Sequence, residues 1–410
     1  MPKALDGLKV ADFCWVGVGP LTMKSLADNG ATVVHIESHT RVETLRNGGP
    51  FKDRVPGVNR SGFFANFNSS KLGVSLNLNT AKGREVARRL IAWADVVGES
   101  FTPGTMKGWG LDYESVRQWK PDIIYYSTCQ LGQTGPWASQ PGYGTQLAAL
   151  AGFYHLASWP GAEPAGPYGA YTDFISPRFG IVAVMAALEQ RRRTGRGAHV
   201  DLSQLEAGTQ FVGPYLMDWL NNGNEPELLG NRDPLAAPHG AYPCKGPLTP
   251  AGVPDRWIAI AVRTSEEWLA LRRVMGNPPW AADATYASLE GRKAAEDEID
   301  TNLAAWTSEH DANDLMRTLQ AAGIPAGAVQ TSHDLYQDAQ LAHWGAFVEL
   351  DHVEIGRHKY DGLSYHLSRT PGELTRPGPG LGQHNEEVYR GLLGMSEAEY
   401  DSLLAEGVFE

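Results

Sequence analysis

The sequence predicts an α/β protein whose first 200 residues form an open parallel sheet of the nucleotide-binding type. Short runs rich in β-branched residues alternate with helical segments, and Gly and Pro turns separate them. The chain has 410 residues, of which 42% are apolar and 20% charged. This is enough for one large domain or for two of ordinary size.

The elements follow one another as strand, helix, strand from the N-terminus. The predicted strands are 8–13, 31–37, 71–78, 95–99 and 123–127, and the predicted helices are 21–29, 80–94 and 112–119. The pattern changes after the polar segment 221–226, which is a candidate linker. A strand at 256–262 and charged amphipathic helices between 265 and 321 predict a smaller second domain. A tail of short strands and a last helix follows.

Composition and charge exclude several classes of function. The net charge is −12, which disfavours nonspecific binding to nucleic acid or to an anionic membrane. No apolar run has the length of a membrane helix, and the N-terminus has no signal-peptide core. Cys14, Cys129 and Cys244 form no CxxC pair, and the histidines show no metal-ligand spacing. We therefore expect a cytoplasmic protein without a bound metal.

Asp173 lies in a loop rich in Gly and aromatic residues. An apolar helical run at 181–188 follows it, and Ser176–Pro177 predicts an N-cap and a first helical position. The carboxylate would then lie just before the positive end of a helix. Two roles are open from these residues alone: a helix cap, or a nucleophile held in an apolar pocket.

Several motifs resemble the class III CoA-transferase family, which includes formyl-CoA transferase, carnitine CoA-transferases and alpha-methylacyl-CoA racemase. The resemblance covers nearly the whole chain, from Leu5 to about Val388. Each motif alone is weak, but their order is specific. They are LDGLKV at 5–10, LADNGA at 26–31, NSSK at 68–71, ESFTPG at 99–104, GQTGP at 132–136, TGRG at 194–197, GIPA at 323–326 and LGQH at 381–384.

The resemblance implies a fold and an assembly. A Rossmann-like large domain is built from both chain ends, with a smaller α+β domain between them, and two subunits interlock like chain links. We therefore expect a large domain at 1–224, a small domain at 225–330, and a linker with a C-terminal return at 331–410. The partner is a second copy or a homologous second subunit, and the active site lies at their interface.

The resemblance also implies a reaction. Coenzyme A is the co-substrate, and it moves from an acyl-CoA donor, expected to be succinyl-CoA, to a carboxylic acid. The family's catalytic aspartate falls on Asp173. The family's CoA contacts fall on Val16, Gly17, Arg46, Lys71, Leu72, Ser100, Phe101, Lys107 and Tyr143.

The acid site is expected to contain several aromatic side chains and one arginine. These are Trp15, Tyr168, Tyr171, Phe174 and Arg178. Aromatic rings supply large apolar contact area, and a guanidinium can pair with a second carboxylate. Formyl-CoA transferase has Gln where this chain has Gly17. Within the family, the runs 16–21 and 172–179 most resemble the benzylsuccinate CoA-transferase subgroup. We therefore expect an aryl-substituted or dicarboxylic acid, and the resemblance implies one such as benzylsuccinate.

Two alternatives use the same fold. An acyl-CoA racemase needs two acid/base groups around the α-carbon, and Tyr143 stands where the racemase pattern has His. Tyrosine is a poor base near neutral pH because its reference pKa is about 10. A non-catalytic partner subunit of a two-component transferase is the second alternative, and the presence of Asp173 makes it less favourable.

Overall fold

The computed structural model describes residues 2–410. They divide into two compact units. The first contains residues 2–156, Gly166–Glu225 and Ala339–Glu410, and the second contains Ala157–Ala165 and Pro226–Asp338. Within the described residues, no helix is both long enough and apolar enough to cross a bilayer.

A six-stranded sheet forms the centre of the first unit. Its strands are β1 (Lys9–Phe13), β2 (Thr32–Glu37), β3 (Leu72–Ser75), β4 (Val96–Glu99), β5 (Ile124–Cys129) and β6 (Ala198–Ser203). All are parallel, in the spatial order β3–β2–β1–β4–β5–β6. The predicted α/β class is confirmed. The order reverses between β1 and β4, which opens a crevice beyond their carboxyl ends.

Within residues 2–225, the structure describes ten α-helices of the first unit. They are α1 (Val18–Asp28), α2 (Gly62–Phe67), α3 (Ala81–Trp93), α4 (Thr105–Gly108), α5 (Tyr113–Val116), α6 (Gly144–Leu150), α7 (Phe153–Leu156), α8 (Tyr171–Thr194), α9 (Gln204–Phe211) and α10 (Gly213–Asn222). The strands alternate in the faces they bury. Ala11, Val34 and Val97 pack with α3, whereas the neighbouring residues pack with α1 and α8. Both faces of the sheet are therefore covered, as parallel sheets require.

The second unit has its own sheet and its own core. Its strands β7 (His239–Pro243), β8 (Trp257–Ala261) and β9 (Ala326–Ala328) are antiparallel. Its helices are α11 (Ser265–Val274), α12 (Leu289–Ala294), α13 (Glu296–Thr307), α14 (Ala312–Ala321) and α15 (Ser332–Gln337). Ile258, Trp268 and Leu303 are buried in its core.

The C-terminal segment returns to the first unit and covers the edge of its sheet. It contains α16 (Ala339–Trp344), the antiparallel strands β10 (Phe347–His352) and β11 (Gly356–Asp361), and α17 (Glu397–Ala405). Side chains of His384 and Asn385 accept hydrogen bonds from the backbone N–H groups of Gly73 and Ser75, at 3.0 and 2.9 Å. These bonds occupy donors of the edge strand β3, which would otherwise be open to pairing with another chain.

The helix that contains Asp173 starts earlier than the sequence predicts. The Ser176–Pro177 pair indicated a start at residue 177, but α8 begins at Tyr171 and continues through Pro177. Thr172, Ser176 and Pro177 are buried, so tertiary packing holds the first turns despite the proline. Because proline has no N–H, the carbonyl of Asp173 lacks its helical donor. Asp173 itself lies inside the first turn of α8.

Candidate active site

Asp173 is a half-buried carboxylate near the positive end of α8. Its backbone N–H donates to the carbonyl of Ala170 at 2.9 Å. Burial raises the pKa of the Asp173 carboxyl to about 6, and no ion pair within residues 2–410 offsets this effect. The carboxylate is therefore ionised at neutral pH but poorly solvated, which favours attack on an electrophile.

Two glycines leave space directly around this carboxylate. A Cβ placed on Gly144 would lie 2.5 Å from Oδ1 of Asp173, and one placed on Gly17 would lie 3.2 Å from Oδ2. Gly144 is the first residue of α6, and Gly17 precedes the first residue of α1. The start of α1 has no side-chain cap, so its first N–H groups are available to a ligand. Partial positive charge from these helix ends thus faces the carboxylate.

A cavity of about 290 Å³ opens beside Asp173. It is lined by the segments that follow β1, β4 and β5, by loop residues 138–144 and by Gln204 at the start of α9. Among the described residues, its wall contains no lysine, arginine or histidine. Its polar groups are amides and hydroxyls, including those of Thr128, Gln130 and Gln140. The cavity therefore offers neutral hydrogen-bonding groups around a single carboxylate.

The structure brings some of the predicted site residues together at this cavity. Those on its wall are Trp15, Val16, Gly17, Ser100, Phe101, Tyr143 and Asp173. The Ser100 hydroxyl bonds to both the N–H and the carbonyl of Trp15, each at 2.8 Å. The rings of Trp15 and Phe101 meet edge to face, with centroids 5.3 Å apart. The loop after β1 is thus fixed to the loop after β4.

Three predicted CoA contacts are buried away from the cavity. Arg46 makes two bonds of 2.6 Å to Glu37, and Lys71 bonds to Asp12 and Asn68 at 2.8 Å. Leu72 begins β3 in the core. Lys71 and Leu72 lie at the amino end of β3, whereas ligands of parallel sheets bind beyond the carboxyl ends of the strands. We therefore no longer assign these three residues to CoA.

The remaining predicted residues also lie off the cavity wall. Lys107 and Arg178 are exposed, and Tyr168 is fully exposed. Tyr171 packs on Phe153 at a centroid distance of 5.1 Å. Phe174 packs edge to face on Phe67 at 6.0 Å. Within the first unit, the aromatic wall of the cavity is therefore Trp15, Phe101 and Tyr143.

A second cavity of about 140 Å³ adjoins the first through Trp15, Phe101 and Thr102. Seven of its other wall residues lie beyond the carboxyl ends of β2 and β3, namely Ser38, Thr40, Arg41, Leu76, Asn77, Leu78 and Asn79. Sequence reasoning missed these positions because it assigned the start of β3 rather than its end. The sequence predicts a strand through residue 78, whereas β3 ends at Ser75, so residues 76–79 follow the strand and lie where parallel sheets bind ligands.

A buried network of charged side chains lies beneath the loop after β1. His35 contacts Asp12 at 3.2 Å and Glu43 at 3.3 Å, and both side chains are fully buried. Burial alone would lower the pKa of His35. Its hydrogen bonds to Asp12 and Glu43 and the nearby negative charges together have the larger effect and raise the pKa to about 9. His35 is therefore a cation.

Three side chains of this network have the spacing of metal ligands, but their ion pairs disfavour a bound metal. Ligand atoms of His35, Glu37 and Glu43 lie within 4.8 Å of one another. Both oxygens of Glu37 are already bound by Arg46, however. Lys71 pairs with Asp12, and His35 bridges Asp12 and Glu43. We therefore assign the cluster a structural role rather than a metal.

Comparison with known proteins gives a consistent family match. The profile of CoA-transferase family III matches residues 5–385. The succinyl-CoA–D-citramalate CoA-transferase of Chloroflexus aurantiacus is 29% identical over 99% of this chain and 98% of its own length. The mouse succinyl-CoA:glutarate CoA-transferase is 27% identical, over 100% and 91%. A CAIB/BAIF family protein from Brucella suis has a similar structure, with a TM-score of 0.87, 29% identity and coverage of 96% and 100%.

Proposed function

The chain belongs to CoA-transferase family III and is a CoA-transferase, and on this premise we propose that Asp173 is the nucleophile that carries CoA between two acids. The observation that supports this role is the poorly solvated Asp173 carboxylate, which two glycines leave accessible at the end of a cavity. It is the only carboxylate on the wall of that cavity within the described residues.

The proposed reaction keeps the thioester energy throughout. An Asp173 oxygen attacks the donor thioester carbonyl, and the C–S bond breaks to give an acyl–aspartyl anhydride and CoA thiolate. The thiolate attacks the aspartyl carbonyl, which releases the donor acid and forms an aspartyl–CoA thioester. The acceptor carboxylate attacks this thioester, and the thiolate then attacks the acceptor carbonyl of the second anhydride. Asp173 is regenerated, and no ATP or metal is consumed.

Each of these steps passes through a tetrahedral oxyanion. The N–H groups of Val18 and Gly19 in the first turn of α1 have no helical partner. A Cβ placed on Gly17, the residue before this turn, would lie 3.2 Å from Oδ2 of Asp173. Pre-oriented N–H donors of this kind stabilise developing negative charge without reorganisation. We propose that they serve as the oxyanion hole.

The nucleotide part of CoA is proposed to occupy the second cavity. That cavity lies beyond the carboxyl ends of parallel strands, where such sheets bind nucleotides. Arg41 lies on its wall and supplies a cation for a phosphate. Trp15 and Phe101 line both cavities. The pantetheine arm of CoA is therefore proposed to pass these two rings on its way from the nucleotide to Asp173.

The proposed acids are dicarboxylic, with succinyl-CoA as donor. The relatives named above act on citramalate and glutarate with succinyl-CoA. Gly17 leaves room over the nucleophile for an acyl group larger than formyl. Because no lysine, arginine or histidine among residues 2–410 lines the first cavity, its amide and hydroxyl groups are the proposed contacts for the distal carboxylate, in place of Arg178. An aryl-substituted acid such as benzylsuccinate stays a prediction.

The functional assignment is tested by product analysis. The purified protein is incubated with succinyl-CoA and, separately, with glutarate, citramalate, benzylsuccinate, cinnamate and formate, and new CoA thioesters are identified by mass. We expect transfer of CoA to a dicarboxylate. The variant Arg41→Ala should raise KM for succinyl-CoA roughly tenfold, because a phosphate contact is lost, and should leave the preference among the acceptor acids unchanged. Absence of any new thioester, or exchange of the α-proton without transfer, would contradict the assignment.

We further propose that the protein is a dimer of interlocked subunits in a reducing, cytoplasmic compartment. All three cysteines are free thiols. Helix α10 has an apolar sequence, yet none of its residues is buried. Tyr215, Met217, Trp219 and Leu220 are each more than half exposed. An apolar surface of this kind is normally covered in an assembly.

The double variant Trp219→Asp/Leu220→Asp should disrupt this dimer. Two carboxylates on the apolar face would need to be desolvated in the interface. We expect sedimentation equilibrium to give the 44.6 kDa monomer in place of a species of twice that mass. Leu404→Asp, at a half-exposed position on α17, is the control and should leave the mass unchanged. An unaltered dimer in the double variant would exclude α10 from the interface.

A further inference from the structure

The loop after β1 is held by three side chains through three consecutive backbone N–H groups. Cys14 N–H donates to Asp12 at 2.9 Å, Trp15 N–H to Ser100 at 2.8 Å, and Val16 N–H to Glu43 at 2.7 Å. All three acceptors come from side chains rather than from regular secondary structure. The loop shape therefore depends on the side chains of Asp12, Ser100 and Glu43.

Val16 has an unfavourable backbone conformation within this loop. Its φ is +71°, in the left-handed region, which β-branched residues rarely adopt. Such conformations persist only where surrounding contacts impose them. The bond from Val16 N–H to Glu43 is the contact made by the strained residue itself.

The strained residue immediately precedes the residue that faces the nucleophile. A side chain on Gly17 would point at Oδ2 of Asp173, with its Cβ 3.2 Å away, and α1 begins directly after Gly17. A change in the Val16 backbone would therefore move Gly17 and the free N–H groups at the start of α1. Misplacement of such groups by about 1 Å is enough to lower a rate on the order of 100-fold.

Glu43 is well suited to hold this conformation. It is fully buried, and its second oxygen contacts Nε2 of His35 at 3.3 Å. His35 is fixed in turn by Asp12, and Asp12 by Lys71. One carboxylate oxygen of Glu43 thus bonds to the loop, and the other is anchored in the buried network beneath it.

We propose that Glu43 is a positioning residue, whose bond to Val16 N–H imposes the backbone that places Gly17 and the start of α1 against Asp173. The inference rests on the proposed role of Asp173 in CoA transfer. It assigns to the buried Asp12–His35–Glu43 network a function in shaping the oxyanion site. It also explains why a valine is tolerated at a left-handed position.

The test is rescue by glycine, which adopts a left-handed φ without strain. Glu43→Ala should lower kcat roughly 10- to 100-fold. In the Glu43→Ala background, Val16→Gly should raise kcat at least about tenfold, because glycine adopts the loop conformation without the bond to Glu43. Asn277→Gly is the matched control: it relieves a positive φ of +54° in the other unit and should restore nothing.

A second variant covers the case in which Glu43→Ala does not fold. Glu43→Gln keeps the size and one oxygen acceptor, so kcat should stay within about threefold of the wild type. A larger loss in Glu43→Gln that Val16→Gly does not restore would overturn the proposal. So would an unchanged kcat in folded Glu43→Ala. Failure of the transfer assignment itself is distinguishable, because the wild type would then form no new thioester.

Discussion

Replacing Asp173 with alanine is expected to lower kcat roughly 10⁴-fold or more, since an anhydride intermediate needs a carboxylate and Asp173 is the only one that residues 2–410 place on the wall of the cavity. Asp173→Asn should be equally inactive, because an amide cannot form the anhydride. Steady-state transfer from succinyl-CoA to the preferred acid is the measurement. Residual activity within tenfold of the wild type in either variant would exclude Asp173 as the nucleophile.

The pH profile of kcat/KM for the wild type should have an acidic limb that reports the ionisation of Asp173. Burial raises the pKa of Asp173 to about 6, and only the ionised form attacks. The kcat/KM should therefore be constant at alkaline pH and fall tenfold per pH unit below about 6. Burial also raises the pKa of Glu99, to about 7, so Glu99→Gln is the control. The limb near 6 should persist in that variant.

Asp173→Asn should also be more stable than the wild type at pH 8. A carboxyl whose pKa is raised by folding binds its proton more tightly in the native state. Its ionisation therefore destabilises the fold as pH rises through the unfolded value of 3.8 towards 6, and the full cost is present above 6. Removing the charge should stabilise the fold by up to about 3 kcal/mol at pH 8, and by nothing at pH 3. Denaturant unfolding at both pH values measures this and verifies that the inactive protein is folded.

Gly144→Ala is expected to cause the second largest loss of kcat. The new Cβ would lie 2.5 Å from Oδ1 of Asp173 and 2.6 Å from Cβ of Ala170, so the carboxylate must move. The expected fall in kcat is roughly 100-fold, as for other small misplacements of a reacting group. The fold should tolerate the change, because alanine is a better helix former than glycine.

A graded series separates this steric effect from a general effect of added methyl groups. Gly17→Ala brings its Cβ to 3.2 Å from Oδ2, so its loss should be several-fold smaller. Gly391→Ala, with nothing within 4 Å of its added Cβ, should leave kcat unchanged. If all three variants had equal rates, Asp173 would not be held between these two glycines during the reaction.

The sequence predicted the parallel sheet because its signals are local. Strands such as β1 and β2 are short apolar runs bounded by turns, and their observed bounds differ from the predicted ones by one residue at most. The start of α8 was wrong because Ser176–Pro177 is a strong local signal that tertiary packing overrides. Local patterns contain no information on burial by distant segments.

The site was partly predictable for the same physical reason. Segments that follow strands, such as those of Gly17 and Ser100, meet at one edge of the sheet, and the cavity lies there. Arg46 and Lys71 resembled phosphate ligands by residue type, but both are buried in ion pairs with Glu37 and Asp12. Lys71 and Asp12 are 59 positions apart, and Arg46 reaches Glu37 only through the turn that follows β2. Only the folded structure shows these pairs.

The most direct test of the central claim is a search for CoA attached to Asp173. The protein is mixed with succinyl-CoA in the absence of an acceptor, quenched with acid and digested, and its peptides are analysed by mass spectrometry. The proposed mechanism predicts that the peptide containing Asp173 gains the mass of CoA less one water, and that hydroxylamine converts it to the hydroxamate. An active wild-type enzyme that never carries CoA on this peptide, or carries it on another residue, would contradict the mechanism.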